Sequence, residues 1–185
     1  MSFSDRRDAG RRLVDRLRAF RGDDVVVLAV PTGGVPVAFE VATALRLPLD
    51  VMAPREELAH KEFEYRGGRD PVPLRGRTAL IVDDGISTGA TAWAVCAHAK
   101  AEGAVKIIFA APVGPSRVIR QLSRLVEHVV CLETPDLPHS VGRWYLDYSE
   151  IGDDAVLDLV DRANNRWLQT DRPGAGPPHE RHPVG

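Results

Sequence analysis

The chain has 185 residues, 44% of them hydrophobic, and its 24 basic against 26 acidic side chains leave a net charge of −2. That is enough apolar material for one packed domain, and arginines spread along the chain rather than clustered argue against a polybasic surface for nucleic acid or membrane. Two cysteines, Cys96 and Cys131, sit in apolar or small-residue segments; they are too few for a disulfide framework and read as buried free thiols of a reducing compartment. No Cys/His spacing suggests zinc. No stretch reads as a leader or a membrane span, so the expected location is the cytoplasm.

In chain order, residues 5–20 read as an arginine-rich amphipathic helix with Leu13, Val14 and Leu17 on one face. Residues 24–30 form a continuous apolar strand of the buried kind. Pro31-Thr32-Gly33-Gly34 is a turn, and Pro36 suits the first turn of a helix reaching Leu45. A short second strand over 49–53 precedes a charged helical stretch over 55–65 and a Gly/Pro-rich loop over 67–76. The third strand covers 78–82 and its helix 88–102, with Gly103 as a left-handed stop. A strand over 105–111, a helix over 115–126, a fifth strand over 128–132 and a closing helix over 153–167 complete the pattern. The Pro/Gly-rich end is expected to be a disordered tail, giving one domain over 1–169 and a tail over 170–185. There are no internal repeats. Strands alternating with helices predict an α/β fold with a parallel sheet of about five strands and right-handed crossovers.

The most informative run is Thr78-Ala79-Leu80-Ile81-Val82-Asp83-Asp84-Gly85-Ile86-Ser87-Thr88-Gly89-Ala90-Thr91. An apolar strand ends in two adjacent carboxylates, followed by a hydroxyl-rich turn and an alanine-rich helix. Backbone N–H groups converging at such a helix start suit a phosphate. Two aspartates before the turn would repel a bare phosphate but make sense if the ligand also offers hydroxyls or brings a divalent cation, and a sugar phosphate with a ribose diol fits both. The bland alternative is a strand running into a helix capped by Thr88, with both aspartates merely solvated.

This run resembles the 5-phosphoribosyl-1-pyrophosphate (PRPP) signature of type I phosphoribosyltransferases. The resemblance covers about 24–150, strongly at 78–91 and loosely elsewhere. It implies that Asp83 and Asp84 hold the ribose hydroxyls and that Ser87, Thr88, Gly89, Ala90 and Thr91 hold the 5-phosphate. It also implies strand order 2-1-3-4-5, which sets the loop after the first strand opposite this one at the point where strand order reverses. Thr32, Gly33 and Gly34 would then contact pyrophosphate, with the glycines free to turn N–H groups toward an anion.

Three departures from the family pattern bear on chemistry. Thr32 stands where a basic residue is expected and brings no charge. The mobile loop that closes over the reacting centre in relatives is shortened or absent; Arg55, Lys61, Arg66 and Arg69 are either an electrostatic substitute for it or a solvated helix face. Ser87 stands where purine-specific relatives often have a carboxylate, and a serine is no comparable base at neutral pH. Beyond the fifth strand, residues 130–136 and 141–150 resemble the base-binding stretch of 6-oxopurine phosphoribosyltransferases. On that alignment Leu132 takes the stacking place, Trp144 and Tyr145 are further base-side candidates, and Asp147 takes an acidic place that helps hold magnesium. The alternative is that the aromatics at Trp144, Tyr145 and Tyr148 pack the end of the sheet. His98, His128 and His139 form no usable spacing.

The resemblance implies a protein that binds PRPP with Mg²⁺ and transfers phosphoribose to a nucleobase, releasing pyrophosphate, with a homodimer left open. The other class of reading is a PRPP- or nucleotide-binding regulator with weak chemistry. A third is another sugar-phosphate binder on the same sheet.

Overall fold

The computed structural model describes residues 3–22, 24–54, 59–136 and 140–170. Its elements are α1 (Arg6–Leu17), β1 (Val25–Ala29), α2 (Gly34–Leu45), β2 (Leu49–Val51), α3 (Ala59–Tyr65), β3 (Thr78–Val82), α4 (Ala90–Ala101), β4 (Lys106–Val113), α5 (Ser116–Leu122), β5 (His128–Glu133) and α6 (Asp153–Thr170). All five strands pair in parallel in the order β2-β1-β3-β4-β5, as the sequence leads one to expect. Arg55, His139 and the expected tail beyond Thr170 lie outside the described residues.

The sheet is buried on both faces, which is why its central strands are unbroken apolar runs. Successive side chains of β1 go to opposite cores. Val25, Val27 and Ala29 meet α1, α2 and α6 through Leu13, Leu17, Phe39, Val156 and Val160. Val26 and Leu28 meet α4 and α5 through Val95, Ala99, Val118 and Leu122. A third cluster joins Phe3, Ala9, Val113 and Tyr145. It arises because the N-terminal segment pairs with residues 144–147: Phe3 N–H donates to the Trp144 carbonyl at 2.7 Å, Leu146 N–H to Phe3 at 2.8 Å and Asp147 N–H to Ser4 at 2.9 Å.

Helix ends differ from expectation: the first helix stops at Leu17 and the last runs on to Thr170. The fifth ends at Leu122 because Arg124 and Leu125 N–H donate three residues back, to Gln121 and Leu122, tightening the chain into a turn. The fourth begins at Ala90, with Gly89 rather than Thr88 as its N-cap; the Thr88 hydroxyl accepts from Ala90 N–H at 3.3 Å.

Among the described residues, the segment between β2 and β3 is pinned. Buried Asp50 accepts from Arg66 Nε at 2.6 Å and from Val72 N–H at 2.7 Å. Arg66 also reaches Glu62 at 3.1 Å and the Val51 carbonyl at 2.9 Å. Lys61 pairs with Asp153 and Arg69 with Asp161 on α6. Thus Lys61, Arg66 and Arg69, weighed in sequence as a substitute lid, are committed to partners within the fold.

Burial raises the Asp50 carboxyl above its ordinary value, and the Arg66 guanidinium opposes that rise. Breaking one side of a buried pair strands the other charge, so Arg66→Met should cost about 3–5 kcal/mol at neutral pH. Without Arg66 the folded chain holds the Asp50 proton more tightly than the unfolded chain does. The deficit relative to wild type should therefore shrink as pH falls through Asp50's range. Urea unfolding at neutral and mildly acidic pH checks this; a pH-independent deficit would contradict it.

Candidate functional site

Strand order reverses between β1 and β3, so their C-terminal loops lie side by side. Val30 N–H donates to the Val82 carbonyl at 3.0 Å, Asp83 N–H to Ala110 at 3.1 Å and Ile86 N–H to Val113 at 2.8 Å, which extends the sheet's order into the motif. A cleft of about 390 Å³ opens between the loops. It is lined by Thr32, Gly33, Asp83, Asp84, Ser87, Thr88, Gly89 and Thr91, and also by Arg6, Ile86, Val141 and Tyr148.

The glycines of the first loop serve a different purpose from the one sequence suggests. Gly33 is helical (φ −62°) and neither Gly33 nor Gly34 has positive φ. A Cβ on Gly33 would lie 2.2 Å from Asp84 Oδ2, and one on Gly34 would lie 2.7 Å from the Val82 carbonyl oxygen. Both positions must lack a side chain for the two loops to touch. The peptide between Pro31 and Thr32 is cis. Gly34 N–H is spent on the Val30 carbonyl at 2.9 Å. Among the described residues nothing accepts from Thr32 or Gly33 N–H, so two residues that line the cleft carry unpaired amides.

In the second loop Gly89 does need its conformational freedom, with φ +90°, and a Cβ there would also meet Val118 at 2.6 Å. Among the described residues no acceptor engages the amides of Thr88, Gly89, Thr91 or Ala92. Orphan donors at a helix start form an anion cradle.

The carboxylates are crowded. Asp84 is buried, and its Oδ2 accepts both Arg6 Nε and the Tyr148 hydroxyl, each at 2.9 Å. Its carbonyl accepts the buried Tyr145 hydroxyl at 2.5 Å. Asp83 Oδ1 accepts Asp84 N–H at 2.8 Å. Among the described residues no N–H or hydroxyl reaches Asp83 Oδ2 or Asp84 Oδ1, which leaves two unpaired acceptor oxygens on adjacent residues. Burial, and then the Asp84 charge, push the Asp83 carboxyl well above the usual carboxylate range.

Several expected residues stay outside the cleft. Ala90 and Gly34 do not line it. Leu132 and Trp144 pack on the Phe3–Tyr145 cluster. Asp147 is exposed, lies beside a separate groove with Asp5 and Ser149, and accepts the Ser149 N–H and hydroxyl. Of the aromatics grouped in sequence, Trp144 and Tyr145 pack structure while Tyr148 reaches the cleft. Sequence reasoning missed Arg6, Ile86, Val141 and Tyr148. One signal existed for Arg6: a cation at a helix N-terminus opposes the helix dipole and needs another reason to be there.

Because Asp83 holds its proton more tightly folded than unfolded, the ligand-free chain loses stability as pH rises through that range. Asp83→Asn should therefore raise stability at neutral pH, and the gain should vanish at acid pH, where Asp83 is already neutral. Thermal unfolding against pH tests this; a variant less stable than wild type at neutral pH would contradict it.

Residues 6–148 match the phosphoribosyl transferase domain family. A Mycobacterium tuberculosis protein, provisionally named a phosphoribosyl transferase, is 38% identical over 213 aligned residues, covering 90% of this chain and 48% of that protein. The transcriptional regulator GfcR of Haloferax volcanii is 33% identical over 86 residues, covering 44% of this chain and 41% of the regulator. The chain thus spans about half the length, or less, of the curated relatives it matches. Among solved structures, TT1426 from Thermus thermophilus superposes with a TM-score of 0.79 at 28% identity, covering 86% of this chain and 98% of that one. With the two loops meeting at the β1/β3 switch point and the family match spanning both, the chain belongs to the phosphoribosyl transferase domain family, in its type I form.

Proposed function

We propose that this chain binds PRPP together with Mg²⁺ and transfers its phosphoribosyl group to a nitrogenous base, with release of pyrophosphate. The observation that carries the reading is the meeting, in one cleft, of an adjacent carboxylate pair, a helix start with unpaired amides and a second loop at Thr32 and Gly33. The Thr88, Gly89, Thr91 and Ala92 amides hold the 5-phosphate. Asp83 Oδ2 and Asp84 Oδ1 accept the ribose hydroxyls. The Thr32 hydroxyl and the Thr32 and Gly33 amides meet the pyrophosphate, and Ile86 and Val141 form an apolar wall beside the reacting carbon. The catalysis asked of the chain is positioning and exclusion of water.

The donor set fits magnesium in its usual manner. Among the described residues no group of three or more His, Cys, Asp or Glu could hold a metal alone, and Mg²⁺ commonly takes one or two carboxylates with the rest of its shell from phosphates and water. Crowding of Asp83 against Asp84 favours a ligand that carries positive charge between them. When bound with PRPP, the cation supplies charge neutralisation for the departing pyrophosphate.

A second reading, a PRPP- or nucleotide-binding regulator with weak chemistry, draws on specific observations. Thr32 brings no charge, Ser87 is no base, and Lys61, Arg66 and Arg69 are paired away from the cleft. The relative named a transcriptional regulator supports the same reading.

Calorimetry with Mg²⁺ and PRPP, followed by pyrophosphate release over a panel of purines and pyrimidines, separates these readings. PRPP should bind wild type. Gly89→Val should weaken binding at least about tenfold, because backbone and cradle both shift, whereas Thr88→Ser should stay within about threefold. Thr32→Arg should tighten pyrophosphate binding and raise turnover, since guanidinium grips phosphate oxygens in a fork. Binding without turnover in either protein favours the regulator; absence of PRPP binding overturns both readings.

A further inference from the structure

The cleft is poor in positive charge for a ligand that carries phosphate at both ends. Among its described lining residues there are two aspartates and one cation, Arg6. That cation comes from an element outside both anion loops, the first residue of α1, 78 positions from its partner Asp84.

Its placement is built. The N-terminal segment is fixed by its pairing with residues 144–147, and Asp5 caps α1 by accepting Asp8 N–H at 2.7 Å. Arg6 Nη1 donates to the Ser149 carbonyl at 2.8 Å. The guanidinium lies over the Tyr148 ring, 3.9 Å from its centroid. The Arg6 side chain is only 10% exposed, yet it borders the cleft. The oxygen it binds, Asp84 Oδ2, is the one against which Gly33 is pressed. The guanidinium therefore stands beside the loop of Thr32 and Gly33, on the side assigned to pyrophosphate.

We propose that Arg6 is a PRPP-binding residue: its guanidinium supplies, from the first turn of α1, the positive charge toward pyrophosphate that the loop after β1 lacks, and Tyr148 is the platform that holds it there. The inference rests on reading the cleft as a PRPP site. Arg6 neutralises Asp84 while the cleft is empty and turns its charge to the pyrophosphate oxygens when ligand arrives, without leaving the Tyr148 ring. The same residue thus restores by position what Thr32 omits by type.

The test uses the full chain with Mg²⁺ and three probes: inorganic pyrophosphate, ribose 5-phosphate and PRPP. Arg6→Gln keeps a donor for Asp84 and removes the charge. It should weaken pyrophosphate and PRPP about 10- to 100-fold, the loss expected of a hydrogen bond to a charged group, and leave ribose 5-phosphate within about threefold. Arg6→Lys should retain most pyrophosphate affinity, and adding Thr32→Arg to Arg6→Gln should restore it. Tyr148→Leu, at a residue 39% exposed, removes the platform together with a contact to Tyr145 and the hydroxyl bond to Asp84. Measured against Tyr148→Phe, which removes the hydroxyl alone, its further loss should fall on pyrophosphate rather than ribose 5-phosphate, in weaker form than in Arg6→Gln and even if that variant does not fold. Loss of ribose 5-phosphate affinity with pyrophosphate unchanged would overturn the inference, because Arg6 would then serve only to orient Asp84. Failure of wild type to bind PRPP or ribose 5-phosphate would instead overturn the reading of the cleft itself.

Discussion

Two ionised carboxylates on adjacent residues at the buried end of a strand repel each other and forfeit hydration, and the rest of this site is arranged around that constraint. Asp83 and Asp84 leave β3 where the sheet is dry on both faces. Asp84 is met by a guanidinium, a phenol hydroxyl and, at its carbonyl, a second phenol hydroxyl. Asp83 receives only the neighbouring amide and bears the remaining strain as a raised carboxyl. The partners come from segments far apart in sequence, Arg6 from the first helix and Tyr145 and Tyr148 from the segment after β5. The pairing of Phe3 and Ser4 with residues 144–147 is therefore part of the site's architecture.

The same constraint links stability to function. A group held at unfavourable charge in the empty chain is one whose ionisation a ligand can reward, and functional sites commonly carry such a cost. By contrast, the buried Asp50–Arg66–Glu62 network between β2 and β3 is satisfied within the fold. It holds the described part of that segment away from the cleft, whose walls are instead drawn from Val141 pressed against Gly85 and from Tyr148 beneath Arg6.

Much of this was legible in sequence, for identifiable reasons. The central strands are doubly buried, so apolar runs marked them with little error, and 78–82 matches β3 residue for residue. The turn after β3 is legible because its geometry is local: a strand end, a left-handed glycine and a helix start within a dozen residues. What depends on contacts distant in sequence was not. Sequence singles out Gly33 and Gly34 for a conformational reason, whereas the structure needs them for close approach to Asp84 and Val82. Arg6 looked like one more arginine on an amphipathic helix, and Tyr148 like one more aromatic at the end of the sheet. Periodicity alone cannot show that the two stack on each other and share Asp84.

The most direct measurement is the structure of this chain bound to PRPP and Mg²⁺. The account predicts the 5-phosphate on the amides of Thr88, Gly89, Thr91 and Ala92, the ribose hydroxyls on Asp83 Oδ2 and Asp84 Oδ1, and the pyrophosphate between Thr32 and the Arg6 guanidinium over Tyr148. PRPP bound with its diol away from the two aspartates, or with its pyrophosphate directed away from Arg6 and Thr32, would contradict it.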